Sequence, residues 1–207
     1  MATNGFCTRK FTHYFPFANP KPLIYALILI VSSSAAVGQA SAKKKHDKAH
    51  RPEKVEYNPK LKDGPEQRKL YIKKFKDAAM ANRKKYGIPV AITLGQGILE
   101  SGGGTSYLAQ VGNNHFGIKS NSEWHGRTLS KPGEDDPYRK YASVEECYED
   151  HAKFLKRKRY APLFKLKITD YKGWARKIQE CGYATDPRYA EKLIGVIEKY
   201  KLYEFDK

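Results

Sequence analysis

The sequence predicts one mainly helical domain, over about residues 67–207, with a small polar β-hairpin lobe inserted in its middle. Three observations carry this expectation. Apolar side chains recur at helical spacing in several segments, each bounded by glycine, proline or a capping residue. Residues 112–141 break that pattern, because Gly112, Gly117, Gly126, Pro132, Gly133 and Pro137 leave only short stretches between turns. The chain of 207 residues is 40 % hydrophobic and 13 % aromatic, yet its mean hydropathy is −0.71. Its apolar residues are therefore concentrated in one core, which excludes a polytopic membrane protein. Three cysteines are too few for a disulfide scaffold, and no zinc-ligand spacing is present. Neither a metal nor a cofactor is expected.

Residues 1–42 contain no acidic residue. Arg9, Lys10 and Lys21 precede an apolar run over residues 23–31, and small residues follow to Ala40-Ser41-Ala42. This is the pattern of a secretory signal peptide cut after Ala42, and it predicts an exported protein of the periplasm, envelope or medium. The apolar run is too short for a permanent membrane span, which needs about 20 residues. Loss of the leader leaves 36 basic against 22 acidic residues, a charge of +14, with Cys147 and Cys181 as the cysteines that could pair. Such a charge on an exported protein suits an anionic wall polymer. Nucleic acid is not an expected partner, since the basic run over residues 43–51 has no interleaved aromatic for base stacking. Residues 43–66 are rich in Lys, His and Pro and poor in large apolar side chains, which predicts a disordered basic linker.

From residue 67 to 86, Leu70, Ile72, Phe75, Ala79 and Met80 recur among lysines, and Gly87 ends the helix. A second helix is expected to open with Pro89 in its first turn and to run through Val90, Ile92, Leu94, Ile98 and Leu99 to Glu100. It is the most apolar segment after the leader, so it is the expected central helix. Ser143 and Glu146 form a capping-box pair that opens a helix to about residue 158. Two more helices are expected over residues 170–180 and 187–200, the latter with Asp186 as N-cap and Pro187 at its first position.

An acid at the end of an otherwise apolar helix needs a physical account, because burying an unpaired carboxylate is costly. Apolar surroundings and the negative end of the helix dipole both raise the pKa of such a group, Glu100 here. A carboxyl that keeps its proton near neutrality can protonate the leaving oxygen of a glycosidic bond. Gly102, Gly103 and Gly104 leave the following backbone bare, which would let a chain of sugars approach closely. Spacing alone equally allows an exposed last-turn glutamate beside an ordinary glycine stop.

The wider string decides between these. Ile98-Leu99-Glu100-Ser101-Gly102-Gly103-Gly104-Thr105-Ser106-Tyr107-Leu108-Ala109, followed by Gly112-Asn113-Asn114-His115-Phe116-Gly117-Ile118-Lys119, closely resembles the glucosaminidase-type peptidoglycan hydrolases of glycoside hydrolase family 73. Two later blocks match in order: Tyr138-Arg139-Lys140-Tyr141 with the capping box after it, and Gly182-Tyr183-Ala184-Thr185-Asp186-Pro187-Arg188-Tyr189. The resemblance covers roughly residues 67–203 and implies a lysozyme-like fold, a helical lobe and a small β-lobe with a groove between them. It implies that Glu100 is the general acid cutting the β-1,4 bond between N-acetylglucosamine and N-acetylmuramic acid of peptidoglycan glycan strands. A second acid follows about thirty residues later in the family, where Glu134-Asp135-Asp136 falls. Glu134 is the preferred second carboxylate, with Glu123 as the weaker alternative and Asp135 as a substrate contact.

Tyr183 matches the tyrosine that the family places near the reacting sugar. Phe116 is expected in the lobe core or groove wall, and Trp124 to stack on a sugar ring. His115 is expected to be structural, Thr185 and Asp186 to cap the helix after them, Trp174 to be core, and the protein to be a monomer. Lytic transglycosylases and goose-type lysozymes share the Glu-Ser pair before glycines and form the rival enzymatic reading. A wall-binding protein that keeps the fold without the chemistry is the rival outside enzymes.

Overall fold

A computed structural model describes residues 55–207. The leader expected over residues 1–42, with Cys7, and the first part of the expected linker lie outside the described residues. Residues 55–64 are irregular, mostly exposed chain with a turn at 59–60, fastened where Asn58 N–H donates to Gln110 Oε1 at 2.9 Å and Asp63 pairs with Arg68.

Helix α1 (Pro65–Tyr86) starts with a proline in its first turn and stops at Gly87, whose φ of 71° lets its N–H return to the Arg83 carbonyl at 3.0 Å. Its inward face is Tyr71, Phe75, Ala79 and Asn82, so Phe75 and Ala79 face inward as expected while Tyr71 and Asn82 take the places expected of Leu70 and Met80. Leu70 and Met80 are 61 % and 49 % exposed. The aromatic Tyr71 takes the core position because its hydroxyl finds partners there: Tyr148 donates to it at 2.8 Å and His115 Nδ1 lies 3.0 Å away.

Helix α2 (Val90–Ser101) is the expected central helix, with every residue from Val90 to Ile98 buried. It packs between α1, helix α6 (Tyr189–Lys199) and a 3-10 helix, Leu202–Asp206. Glycines make the close approach possible. A Cβ on Gly95 would sit 2.8 Å from Leu193 Cδ1, and one on Gly97 would sit 2.3 Å from the Tyr71 hydroxyl. Pro89 stands at the N-cap and offers no side-chain cap. Asp206 supplies it instead, accepting from Val90 N–H at 2.7 Å and Ala91 N–H at 2.9 Å, with Arg83 Nε 3.2 Å from its Oδ1.

Helix α3 (Tyr107–Gly112), short and unanticipated, is capped by Ser106. The β-lobe follows: strand β1 (Thr128–Leu129) pairs antiparallel with β2 (Tyr138–Arg139). Helix α4 (Val144–Leu155) opens on the expected capping pair, with Glu146 N–H donating to Ser143 Oγ at 3.2 Å while the Glu146 carboxylate returns to Ala142 N–H at 2.8 Å. It ends short of residue 158, the chain turns extended at Arg157, and a 3-10 helix, Lys158–Lys165, with Pro162 inside it follows. Helix α5 (Tyr171–Glu180) is capped by Asp170. Helix α6 begins two residues later than expected. Asp186 accepts from Arg188 N–H at 2.9 Å in a turn before the helix and does not cap it. Trp174 is core, and Cys147 and Cys181 are both free. Among the described residues no helix is long and apolar enough to cross a membrane.

Asp206→Ala removes the acceptor for two buried N–H groups and the partner of Arg83. It is expected to cost about 2 kcal/mol of stability, read as a lower urea midpoint with an unchanged slope.

Candidate active site

A cleft of about 830 Å³ opens between the end of α2, residues 116–121, Arg139 of β2, the end of α4 and residues 183–192. Glu100 stands in its wall because α2 stops there. Ser101, fully buried, donates from Oγ to the Gly97 carbonyl at 2.5 Å and accepts from Gly104 N–H at 2.8 Å. Gly102, Gly103 and Gly104 have φ of 58°, 62° and 84°, so the chain turns away through left-handed backbone closed to most side chains. Their missing side chains face Asp63, Arg68 and Tyr71, away from the cleft. The glycines therefore shape the turn after Glu100 and do not clear a path for substrate.

The Glu100 carboxyl is held from one side. Tyr189 Oη donates to Oε1 at 2.9 Å, Gln96 Nε2 donates to Tyr189 Oη at 3.0 Å, and Gln96 Oε1 lies 3.2 Å from His151 Nε2. An amide oxygen only accepts, so His151 carries its proton on Nε2, leaving buried Nδ1 without a partner. Burial pushes the His151 pKa down to about 3 and keeps the ring neutral. Phe116 stacks on that ring at 3.8 Å with 11° between the planes, so its place is both lobe core and cleft wall. Burial raises the Glu100 pKa, and the Tyr189 hydroxyl partly opposes this.

Tyr183 also lines the cleft, its ring 5.5 Å from that of Tyr189. Its pKa is pushed up by burial and then by the Glu100 carboxylate, and no hydrogen bond within the protein holds its hydroxyl among the described residues.

The structure thus brings Glu100, Phe116 and Tyr183 together. Glu134, Asp135 and Trp124 do not line the cleft. Glu134 is exposed, pairs with Lys131 at 2.7 Å and accepts from Tyr138 Oη at 3.1 Å, contacts that hold its pKa below the usual range. Asp135 is exposed beside it, Asp136 pairs with Lys119, and Glu123 accepts from Asn121. Trp124 is half-buried, with the Arg139 guanidinium 4.7 Å from its ring and Tyr141 edge-on to it at 5.5 Å, and its Nε1–H donates to the Arg127 carbonyl. The other acid in the cleft wall is Asp186, whose pKa is lowered by Lys192 and the Arg188 N–H.

The Gly112–Lys119 motif is largely framework. Asn114 Nδ2 donates to the carbonyls of Ile118 and Arg139 at 3.0 and 2.9 Å, and its Oδ1 accepts from Ile118 N–H at 3.0 Å. His115 is buried against Tyr71, its pKa lowered to about 4 by burial and by Lys74. Arg139 Nη1 donates to both Asp150 oxygens and Nη2 to Asn121, tying the β-lobe to α4. Sequence reasoning missed Gln96, His151, Tyr189 and Arg139. Gln96 alone had a local signal, one helical turn before Glu100 on the same face.

The model of the family described as mannosyl-glycoprotein endo-beta-N-acetylglucosaminidase matches residues 76–202. The chain belongs to this glucosaminidase family. It is 35 % identical over 155 residues to the exo-glucosaminidase LytG of Bacillus subtilis (strain 168), covering 68 % of this chain and 54 % of that protein. The catalytic domain of the autolysin Auto from Listeria monocytogenes superposes with a TM-score of 0.59 at 29 % identity, over 71 % of this chain and 92 % of that one. A peptidoglycan hydrolase from Sphingomonas sp. A1 gives 0.58 at 30 % identity, over 66 % and 91 %. The glucosaminidase domain here has the lysozyme-like fold of these hydrolases. The chain spans about half the length of curated relatives such as LytG.

Because burial raises the Glu100 pKa, the folded state binds that proton more tightly than the unfolded chain does. Stability tied to this proton is full below the ordinary glutamate value and is lost as pH rises through the raised one. Glu100→Gln does not titrate, so its urea midpoint is expected to gain on the parent's as pH rises through that window. Carbon-13 titration of the carboxyl checks the same direction.

Proposed function

We propose that this glucosaminidase domain is an exported peptidoglycan hydrolase that cleaves the β-1,4 bond between N-acetylglucosamine and N-acetylmuramic acid. The observation that carries this is the Glu100 carboxyl, largely buried, inclined to keep its proton and fixed by Tyr189 in the wall of an open cleft. The relatives' names, exo-glucosaminidase, autolysin and peptidoglycan hydrolase, agree with a wall glycan as substrate.

In this reading Glu100 gives its proton to the oxygen leaving from the scissile bond. The anomeric carbon gains positive charge as the bond lengthens. Asp186 in the cleft wall is engaged by Lys192 and the Arg188 N–H, and Glu134 is engaged outside it. The substrate's own N-acetyl oxygen then attacks the anomeric carbon, oriented by the unengaged Tyr183 hydroxyl. Water opens the resulting ring, and Glu100, now a carboxylate, takes the water's proton. Configuration is retained.

Digestion of purified wall tests this. Glu100→Gln is expected to lose at least about 100-fold in turnover while binding to insoluble wall persists. Products should end in reducing N-acetylglucosamine, and nuclear magnetic resonance should show the β-anomer first. An anhydromuramic end would instead support a transglycosylase, and no turnover by the parent would support a binding protein. The rate should fall on the alkaline side as Glu100 loses its proton. Tyr189→Phe, by removing the contact that lowers the Glu100 pKa, should move that limb to higher pH.

A further inference from the structure

The charges in the cleft wall are almost all answered within the protein. Lys119 pairs with Asp136, Arg139 with Asp150 and Lys192 with Asp186. Arg157 is different. It lines the cleft, and among the described residues its guanidinium meets no carboxylate, only the ring of Phe154 at 4.7 Å. Its backbone is fixed at the junction between α4 and the 3-10 helix, where its N–H donates to the Phe154 carbonyl and its carbonyl accepts from Tyr160 N–H at 2.9 Å. Lys156, Lys158, Lys165 and Lys167 of the same segment are exposed, and none of them forms an ion pair among the described residues, though Lys156 lies over the Phe164 ring at 3.9 Å. Arg159, by contrast, is spent on structure, donating to the Cys181 and Gly182 carbonyls.

A free guanidinium at a cleft wall, stacked on an aromatic ring and backed by unpaired lysines, is built to take a carboxylate through two parallel hydrogen bonds. We infer that Arg157 and its flanking lysines form an anion-binding rim that selects carboxylate-bearing glycan strands, those still carrying their peptides, over neutral ones. This rests on the hydrolase reading above for the identity of the strand. A wall glycan presents its peptides from alternate sugars, so a strand lying past Glu100 brings peptide carboxylates to the cleft edge. Neighbouring lysines raise the local concentration of such a strand even where they make no fixed contact.

The test compares soluble peptide-bearing strands, the same strands with carboxyls converted to amides, and peptide-free strands that keep only the lactyl carboxylate. The parent should bind native strands about tenfold more tightly than amidated ones, a preference that weakens with salt. Arg157→Gln should lose most of that preference through KM with kcat unchanged, and Arg157→Lys should keep part of it. Equal thermal midpoints establish that the variants fold. Peptide-free strands behaving like native ones would place the recognised group on the sugar and overturn the peptide assignment. Full preference in Arg157→Gln, or none in the parent, overturns the rim itself. Tight, amidation-sensitive binding without release of reducing ends would sink the hydrolase reading and leave the rim standing.

Discussion

Helix α2 has no solvent face through most of its length, and this constraint organises the rest of the molecule. A helix so enclosed must have its end groups satisfied by protein. At its start Asp206 accepts from two N–H groups, and at its end Ser101 and three left-handed glycines close the last turn. With both ends fixed, the direction in which Glu100 leaves the helix is fixed too. The surrounding apolar packing then sets the chemistry, since the desolvation that makes the core stable also makes ionising Glu100 unfavourable.

Around that carboxyl the polar contacts form a line running inward, from Tyr189 to Gln96 to His151. Each member is buried or nearly so, and the line ends on a neutral imidazole stacked against Phe116. Such a line orients without adding charge, and among the described residues no cation stands beside the carboxyl to draw its proton away. The β-lobe is joined to the helical lobe by other means. Arg139 reaches Asp150 on α4, and Asn114 holds the loop that presents Phe116. The Gly112–Lys119 motif thus joins the lobes through Asn114 and lines the cleft through residues 116–119.

Much of this was legible in the sequence where the cause is local. The helices α1, α2, α4, α5 and α6 announce themselves by spacing and caps, and Glu100 by its position after an apolar run. Where partners distant in sequence decide, local reading misleads. The buried stripe of α1 is set by the tyrosine pair Tyr71 and Tyr148, 77 residues apart. Asp186 reads as a helix cap yet folds back on Arg188 and Lys192. Trp124, Glu134 and Asp135 read as groove residues, but Arg139 and Lys131 engage the first two elsewhere and Asp135 lies exposed beside Glu134. Tyr189 meets Glu100, and His151 meets Gln96 behind it, only in the folded chain, 89 and 55 residues from their partners, which no window of sequence contains.

The contact between Asp206 and Val90 also carries a consequence in time. It spans 116 residues, so a ribosome has delivered all of α2 long before the group that closes its first turn emerges. Until then those N–H groups are served by water, and the start of the helix stays open to it. The growing polypeptide therefore holds the first turn of its innermost helix less firmly, by about 2 kcal/mol, until residue 206 has been joined. The enclosed start of α2 is thus completed by a side chain joined 116 positions after it.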